Sequence, residues 1–372
     1  MSRLRPSSSS LSAAHAASER LTTSCASSPP GITDVPTFCM STGMPASPPP
    51  ELKRYPKGVT MQADNANVKQ RILVIGAGEL GLAVLRGLVE KAGGHGLGFA
   101  VLLRQSSLNT QEPAKRAEIE EIRALDVAIE TADLADATVD QLATVMARYD
   151  MVISCAGFAA VRGTQRKLTD AALKAGIKRY LPWQFGVEYD LIGRGSPQDL
   201  FDEQLDVREK LRAQQHTEWV IVSTGMFTSF LFEPAFGVVD LQGGRINALG
   251  SLDTAVTVTT AEDIGRLTAA IVMHEPRIVN QVVYTAGDTL TYAGLADLVE
   301  RVTGRDIERH VWSVARLQGE LTEMPDDNLR KYRAVFAMGR GVAWDVANTY
   351  NAQAGLSITS AEQWALANLA QS

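Results

Sequence analysis

The chain has 372 residues, a formal net charge of -6, and 45% hydrophobic, 21% charged and 6% aromatic residues. This length exceeds the roughly 250–300 residues at which a single hydrophobic core stops growing, so two lobes or domains are expected. The acidic balance argues against a nucleic-acid partner, and no apolar run approaches the roughly 18 residues of a membrane span. Three scattered cysteines, Cys25, Cys39 and Cys155, fit neither a disulfide framework nor a metal knuckle and favour a reducing, cytoplasmic location.

The N-terminal segment has an unusual composition, because the first 50 residues hold 8 of the 15 prolines and 12 serines. Such a segment buries too little apolar surface to offset its ordering entropy, which predicts a disordered tail over residues 1–69. Its early basic residues, Arg3, Arg5 and Arg20, face one acid, Glu19, which resembles a mitochondrial transit peptide. The alternatives are a dispensable tail and translation that starts at Met61.

After residue 70, short apolar runs alternate with helical patterns. The predicted strands cover residues 72–75, 99–103, 127–130, 151–154, 180–182 and 219–223. A clear helix spans 164–175 and ends at Gly176, a typical left-handed C-cap. Strands that are apolar throughout and are separated by helices predict an α/β fold with a doubly wound parallel sheet, the Rossmann architecture.

The alternation predicts the domain organisation. Residues 70–225 should form a dinucleotide-binding Rossmann domain. Residues 226–372 should form mainly a smaller α+β substrate lobe, which includes short strands at 256–259 and 282–285 and to which residues 187–200 contribute. Ligands of such sheets bind beyond the carboxyl ends of the strands, so functional residues are expected in the loops that follow them.

The first predicted strand runs through G-x-G-x-x-G into a helix. Gly76 allows the tight turn, Gly78 lets backbone amides approach a pyrophosphate, and Gly81 lets the helix lie close to the strand. Glu79 and Leu80 complete the turn, at a helix N-terminus whose free N–H groups suit phosphates. In this strand-to-helix context the motif predicts dinucleotide binding, against the alternative of a purely structural glycine turn.

The second predicted strand ends at Arg104, where an NAD site usually places Asp or Glu for the ribose 2′-hydroxyl. An arginine followed by Ser106 and Ser107 suits a 2′-phosphate through charge-assisted hydrogen bonds. NADPH is therefore the predicted cofactor. Lys115 or Arg116 could add a second cation, but a solvated helix face explains them equally well.

Motifs for other chemistries are missing from the sequence. It has no Tyr-x-x-x-Lys pair, no G-x-S-x-G elbow and no H-E-x-x-H, and His216 and His274 stand alone. Cys155 is expected to be a small buried hydrophobe. These observations disfavour a hydrolase and a metalloenzyme, and no metal site is predicted.

Segment 178–186 reads K-R-Y-L-P-W-Q-F-G and resembles the K-R-F-x-P-S-x-F-G motif of the isoflavone reductase-like and NmrA-like branch of the atypical short-chain dehydrogenases/reductases. The glycine loop, Arg104, segment 150–157, Gln165 and segment 259–265 resemble the same family, over about residues 70–310. The resemblance implies a reductase that binds NADPH and a small-molecule substrate, with Gly157, Phe185 and Phe227 among the cofactor contacts.

The resemblance is closest to fungal NmrA-like oxidoreductases of secondary-metabolite pathways. A few of these are thought to reduce cyclic imines of indolizidine alkaloids such as swainsonine. It therefore implies a fungal origin and a role in secondary metabolism, with alkaloid biosynthesis as one such role.

One position departs from the family pattern. The helix motif K-x-x-[I/V]-R of the plant reductases reads Q-L-D-V-R here, so Gln204 replaces the lysine acid and is the candidate catalytic residue. A neutral amide suits reduction of an iminium carbon ahead of a conjugated C=C or C=O, as would Asp202, Glu203 or Asp206 if they face the cleft. The alternative is an NmrA-like sensor that binds NADP and a protein partner without turnover. Trp183 is either core or pocket wall.

Overall fold

The computed structural model describes residues 70–93, 96–157 and 161–369. All of them belong to one compact unit. The expectations for residues 1–69, namely a disordered tail or a transit peptide, lie outside the described residues.

The strands are β1 (Gln70–Ile75), β2 (Leu97–Leu103), β3 (Ala128–Thr131), β4 (Met151–Ser154), β5 (Arg179–Leu181), β6 (Glu218–Ser223), β7 (Met226–Phe227), β8 (Val239–Asp240), β9 (Arg245–Leu249), β10 (Ala255–Thr259), β11 (Gln281–Tyr284), β12 (Asp288–Thr291) and β13 (Glu308–Trp312). The helices are α1 (Glu79–Ala92), α2 (Gln105–Leu108), α3 (Pro113–Ala124), α4 (Val139–Met146), α5 (Thr164–Ala175), α6 (Tyr189–Ile192), α7 (Leu200–Arg212), α8 (Thr228–Leu231), α9 (Ala261–Val272), α10 (Tyr292–Thr303), α11 (Val314–Glu323), α12 (Asn328–Ala337), α13 (Tyr350–Gln353) and α14 (Ala361–Leu369), with a 3-10 turn at Val346–Asn348.

Seven strands form a parallel sheet in the order β11-β6-β5-β4-β1-β2-β3. From β1 the strands β2 and β3 extend the sheet to one side, and from β4 the later strands extend it to the other. The switch point between β1 and β4 is where doubly wound sheets bind their ligands. The predicted fold class is confirmed. Each of the six predicted sheet strands lies within two residues of its observed bounds.

Side chains of β1 alternate between two apolar clusters on opposite faces of the sheet. Ile72 and Val74 pack with the helices α1, α3 and α9. Leu73 and Ile75 pack with α4, α5 and α7. Because both faces are covered, the four positions 72–75 are all buried, which explains why this part of the strand is apolar throughout.

The remaining strands form a second layer of two small sheets, ordered β12-β10-β7 and β13-β9-β8. A third apolar cluster fills this layer and includes side chains of α7, α10 and α12. The predicted strand 256–259 corresponds to β10.

The prediction that residues 282–285 belong to the smaller lobe is wrong. The observed strand β11 pairs with β6 in parallel, with Val282 opposite Ile221, and extends the large sheet. Helix α9 also belongs with this sheet, because it lies directly against α1: a Cβ on Gly265 would fall 2.1 Å from the carbonyl oxygen of Ala83. Two elements of segment 226–372 are therefore part of the large sheet and its cover.

None of the helices in the described part of the chain combines the length and the apolar character that a membrane span requires.

Candidate active site

The glycine loop between β1 and α1 lies at the switch point of the sheet. Gly76 has a φ of +90°, and its N–H donates to the carbonyl oxygen of Leu102 (3.1 Å) in β2. A Cβ on Gly81 would lie 2.1 Å from the carbonyl oxygen of Gly76. A side chain at position 81 would therefore push α1 away from the loop. The loop needs glycine at both positions for its shape alone.

Gly78 differs from these two glycines because a Cβ there would meet no atom within 4 Å. It is the exposed N-cap of α1 and provides no side-chain cap, so no side chain of this residue satisfies the first N–H groups of the helix. Such a helix end suits a pyrophosphate. In the same turn, Leu80 is buried in the core, while burial and the charge of Glu262 raise the pKa of Glu79.

Arg104 follows β2 and is the N-cap of α2. Its side chain is 54% exposed, and its Nε lies 3.8 Å from Oδ1 of Asp133, a loose surface pair. The guanidinium can therefore reorient toward a ligand at the carboxyl end of β2. Lys115 and Arg116 lie on α3 and not directly after a strand; Lys115 pairs closely with Glu118 (2.5 Å), and Arg116 pairs loosely with Glu120 (3.9 Å).

The loops after β4 and β5 touch through Gly157 and Trp183. A Cβ on Gly157 would lie 3.1 Å from three atoms of the Trp183 indole, so the ring lies against this backbone. Trp183 and Phe185 are buried in the same apolar cluster as α1, and Phe227 packs against that cluster from β7. Trp183 is thus a core residue and also the neighbour of a predicted cofactor contact.

Gln165 near the start of α5 fixes the loop after β4. Its Nε2 donates to the carbonyl oxygen of Ala156 (2.6 Å), while its Oε1 is buried and has no hydrogen-bond partner among the described residues. Gly76 also touches Ala156, since a Cβ on Gly76 would lie 3.3 Å from the Ala156 nitrogen. The glycine loop and the loop after β4 are therefore adjacent.

Gln204 lies on α7, and its side chain is buried. Its Oε1 has no hydrogen-bond partner within the described part of the chain. Its backbone carbonyl oxygen accepts from Nε2 of Gln184 (2.8 Å) in the loop after β5. An unpaired buried acceptor destabilises a protein by about 1–3 kcal/mol, so a ligand that donates to it would gain affinity.

The acids beside Gln204 are bound to other parts of the protein. The buried carboxylate of Glu203 accepts from three backbone N–H groups at the start of α5, at 2.8–3.2 Å. Asp202 accepts from a backbone N–H of the preceding loop (3.0 Å). Asp206 pairs with Arg166 and Arg194. Each of these carboxylates therefore already has a protein partner.

Four residues after Gln204 on α7, Arg208 belongs to a buried ionic network that no sequence pattern predicted. The guanidinium of Arg208 is fully buried and pairs with Glu188 and with Asp190 (2.7 Å). Glu188 also accepts from the hydroxyl of Tyr284 (2.8 Å) at the end of β11. Its members come from distant parts of the chain, and the only local signal is that Arg208 ends the Q-L-D-V-R motif.

This network perturbs the acidity of its members. Hydrogen bonds from Arg212, outweighing partial burial, lower the pKa of Asp190 to about 2. Burial and the Glu188 carboxylate raise the pKa of Tyr284, so its hydroxyl keeps its proton at neutral pH. Tyr284 therefore acts here as a hydrogen-bond donor.

The remaining candidate groups are inert or isolated. Burial raises the pKa of the Cys155 thiol, which stays neutral among apolar side chains. Nδ1 of His274 lies 3.2 Å from the hydroxyl of Tyr350, and His216 is exposed. Among the described residues, no group of three His, Cys, Asp or Glu side chains could hold a metal ion.

The sequence model of the NmrA-like family matches residues 68–338 of this chain. The chain belongs to this family. An NmrA-like family domain-containing oxidoreductase of Gibberella moniliformis is 45% identical over 298 residues, which cover 80% of this chain and 97% of the relative. The isoflavone reductase homolog P3 of Arabidopsis thaliana is 27% identical over 277 residues, 72% of this chain and 81% of the relative. The resemblance inferred from the motifs is confirmed.

Solved structures share the fold. A crystal structure of isoflavone reductase superposes with a TM-score of 0.64 at 20% identity, covering 79% of this chain and 98% of that one. The binary complex of leucoanthocyanidin reductase with NADPH from Vitis vinifera gives a TM-score of 0.65 at 19% identity, covering 79% and 97%.

Proposed function

We propose that the chain is an NADPH-dependent reductase of a small secondary metabolite, and that it reduces a C=N carbon in preference to a conjugated C=C or C=O carbon. The name of the Gibberella relative, an oxidoreductase, supports the reaction class. The NADPH complex of the leucoanthocyanidin reductase supports the cofactor. The open helix end at Gly78 and the exposed Arg104 are the features of this chain that fit it.

The residues present fit NADPH. The N–H groups at the start of α1, exposed at Gly78, would hold the pyrophosphate, and Arg104 would pair with the 2′-phosphate. Gly157, Phe185 and Phe227 lie in the loops and strands where the nicotinamide is expected, with Trp183 packed against Gly157. NADPH, when bound, supplies the hydride; the protein supplies orientation and a site that excludes water.

The neutral, buried amide of Gln204 is the reason for proposing reduction of a C=N carbon ahead of a C=C or C=O carbon. Reduction of a ketone leaves an alkoxide, for which a protein acid typically contributes roughly 10²–10⁴-fold in rate. Reduction of an iminium carbon instead neutralises a charge that is already present, so no protein acid is needed at that step. A buried lysine at position 204 would repel such a substrate.

The unpartnered Oε1 of Gln204 gives this amide a further role. It can accept a hydrogen bond from the N–H of an iminium and so hold the C=N group at a fixed place. The carboxylates of Asp202, Glu203 and Asp206 are already bound within the protein. Gln204 is therefore the group on α7 that remains for the substrate.

Steady-state kinetics with 1-pyrroline and cyclopentanone, a matched imine and ketone, test the proposal. The native protein should have the higher kcat/KM for the imine. Gln204→Lys should lose that preference by about tenfold or more, because its charge repels the iminium and supplies an acid for the ketone. Gln204→Met, which removes the acceptor without adding charge, should weaken imine turnover and leave ketone turnover unchanged.

A native preference for cyclopentanone would contradict imine reduction. Tight NADPH binding without oxidation by any imine, enone or ketone would favour the alternative of a sensor that binds NADP without turnover.

A further inference from the structure

A chain of two buried hydrogen bonds leads from Arg208 to the backbone of Gln204. Nε of Arg208 donates to Oε1 of Gln184 (2.7 Å), and Nε2 of Gln184 donates to the carbonyl oxygen of Gln204 (2.8 Å). Both Arg208 and Gln184 are 0% exposed. Because arginine has no acceptor, it fixes which end of the Gln184 amide faces it and leaves the NH₂ group for Gln204.

We infer that Gln184 is a positioning residue for Gln204 and that Arg208 sets the orientation of its amide. The inference rests on the proposed function in one respect, namely that Gln204 meets the substrate. Gln184 itself contacts the backbone of Gln204, so its effect on the reaction is indirect.

Arg208 is itself held firmly. Its Nη1 pairs with Glu188 and Asp190, and its guanidinium lies 5.3 Å from the centre of the Tyr189 ring. Glu188 is tied in turn to Tyr284 at the end of β11 (2.8 Å). Breaking one partner from a buried pair is strongly destabilising, so the guanidinium cannot swing away from Gln184.

The preceding residue holds the other side of α7. The carboxylate of Glu203 is fixed by backbone N–H groups at the start of α5, which include those of Gly163 (2.9 Å) and Gln165 (2.8 Å). Glu203 and the carbonyl oxygen of Gln204 are thus anchored to two different elements. Rotation of α7 about its axis would break both anchors, and this is what keeps the Gln204 side chain in one place.

The variant Gln184→Glu tests the hydrogen bond from Gln184 to Gln204 separately from the hydrogen bond between Gln184 and Arg208. A glutamate keeps the acceptor for Arg208 but loses the donor to Gln204 and places a carboxylate oxygen beside its carbonyl oxygen. Gln198→Glu is the matched control, because Gln198 is an equally buried glutamine just before α7 whose Nε2 has no hydrogen-bond partner among the described residues. Both variants are assayed with whichever of 1-pyrroline, cyclopentanone and cyclohexenone the native protein reduces fastest.

We expect Gln184→Glu to lower kcat by about tenfold or more, while KM and NADPH affinity stay within about twofold of native, since only the placement of the reacting groups changes. Gln198→Glu should retain the native kcat. A native kcat in Gln184→Glu, or an equal loss in both variants, would overturn the inference.

Arg208→Lys provides an independent route to the same link. Arg208 reaches the carboxylates through Nη1 and Gln184 through Nε, and the single nitrogen of a lysine cannot occupy both places. It should lower kcat in the same way, and the double variant with Gln184→Glu should lose no more than the worse single variant, because both act through one chain. Losses that multiply would show that the two residues act separately, against the inference.

Hydrogen–deuterium exchange of the ligand-free protein gives a readout that needs no activity. Peptides covering residues 200–208 should exchange faster in Gln184→Glu than in the native protein or in Gln198→Glu. Unchanged exchange would overturn the inference even if the native protein reduces none of the three substrates. Failure of the proposed function and failure of this inference are therefore distinguished.

Discussion

At Arg104 a single side chain should decide between NADPH and NADH. Its guanidinium is exposed and only loosely paired with Asp133, so it is available to a 2′-phosphate. Arg104→Ala should weaken NADPH binding by about 1.5–3 kcal/mol, the usual range for a hydrogen bond to a charged group, and leave NADH binding unchanged. Calorimetric titration with each cofactor measures the difference.

Arg116→Ala is the control for that titration. Arg116 lies on the neighbouring helix α3 and is as loosely paired, with Glu120 at 3.9 Å, but it does not directly follow a strand of the sheet as Arg104 does. Its loss should leave both affinities unchanged. Equal weakening of NADPH and NADH by Arg104→Ala would show that Arg104 does not select the 2′-phosphate.

The candidate site was predictable from the sequence only where its signals are local. The glycine loop and Arg104 stand out because each occupies a fixed place after a strand. The surroundings of Gln204 could not be predicted, because Arg208 and Glu188 are charged residues that usually remain exposed. Tyr284, which donates to Glu188, lies 96 residues further along the chain, and no local pattern predicts that contact.

At the scale of one element, the turn from β1 into α1 contains one glycine that the fold requires, Gly81, and one that we assign to the ligand, Gly78. Gly81→Ala should destabilise the protein, because its Cβ would lie 2.1 Å from the carbonyl oxygen of Gly76 and the helix would have to move. Gly78→Ala should preserve the melting temperature, because that Cβ enters open space, yet weaken NADPH by about tenfold or more by blocking the pyrophosphate.

Thermal unfolding and fluorescence titration with NADPH, on both variants, check this contrast. A melting temperature lowered as much by Gly78→Ala as by Gly81→Ala would contradict the assignment of Gly78 to the ligand. Native NADPH affinity in Gly78→Ala would do the same.

The elements of the sheet were largely predictable because a parallel strand buried on both faces must be apolar throughout. The helix predicted over 164–175 has those bounds, and Gly176 ends it with a φ of +64°. The strand β11 was assigned to the wrong layer for a different reason. Its pairing with β6 joins residues about 60 positions apart, and a four-residue apolar run carries no information about its partner.

At the scale of the whole molecule, the large sheet and the second layer are joined by direct contacts. The N–H of Glu188 donates to the carbonyl oxygen of Gly341 (2.8 Å). The rings of Tyr284 and Trp344 meet edge to face at 5.3 Å, and Nε1 of Trp344 donates to the carbonyl oxygen of Thr285 (3.1 Å). Loss of one layer would thus expose polar groups and half-buried rings of the other, which favours unfolding as one unit.

We therefore expect one cooperative thermal transition, although residues 70–225 and 226–372 were predicted as separate domains. The tryptophans distinguish the layers, because Trp219 lies in β6 and Trp364 in α14. Trp219→Phe removes a fluorophore of the large sheet, so the remaining signal reports more on the second layer. Trp364→Phe has the opposite effect. In both variants the midpoints from fluorescence and from far-ultraviolet circular dichroism should coincide.

NADPH at about 100 times its Kd should stabilise the protein by about 2.7 kcal/mol and shift both signals together. Two separated midpoints, with only the Trp219 signal responding to NADPH, would instead show that the Rossmann layer unfolds independently.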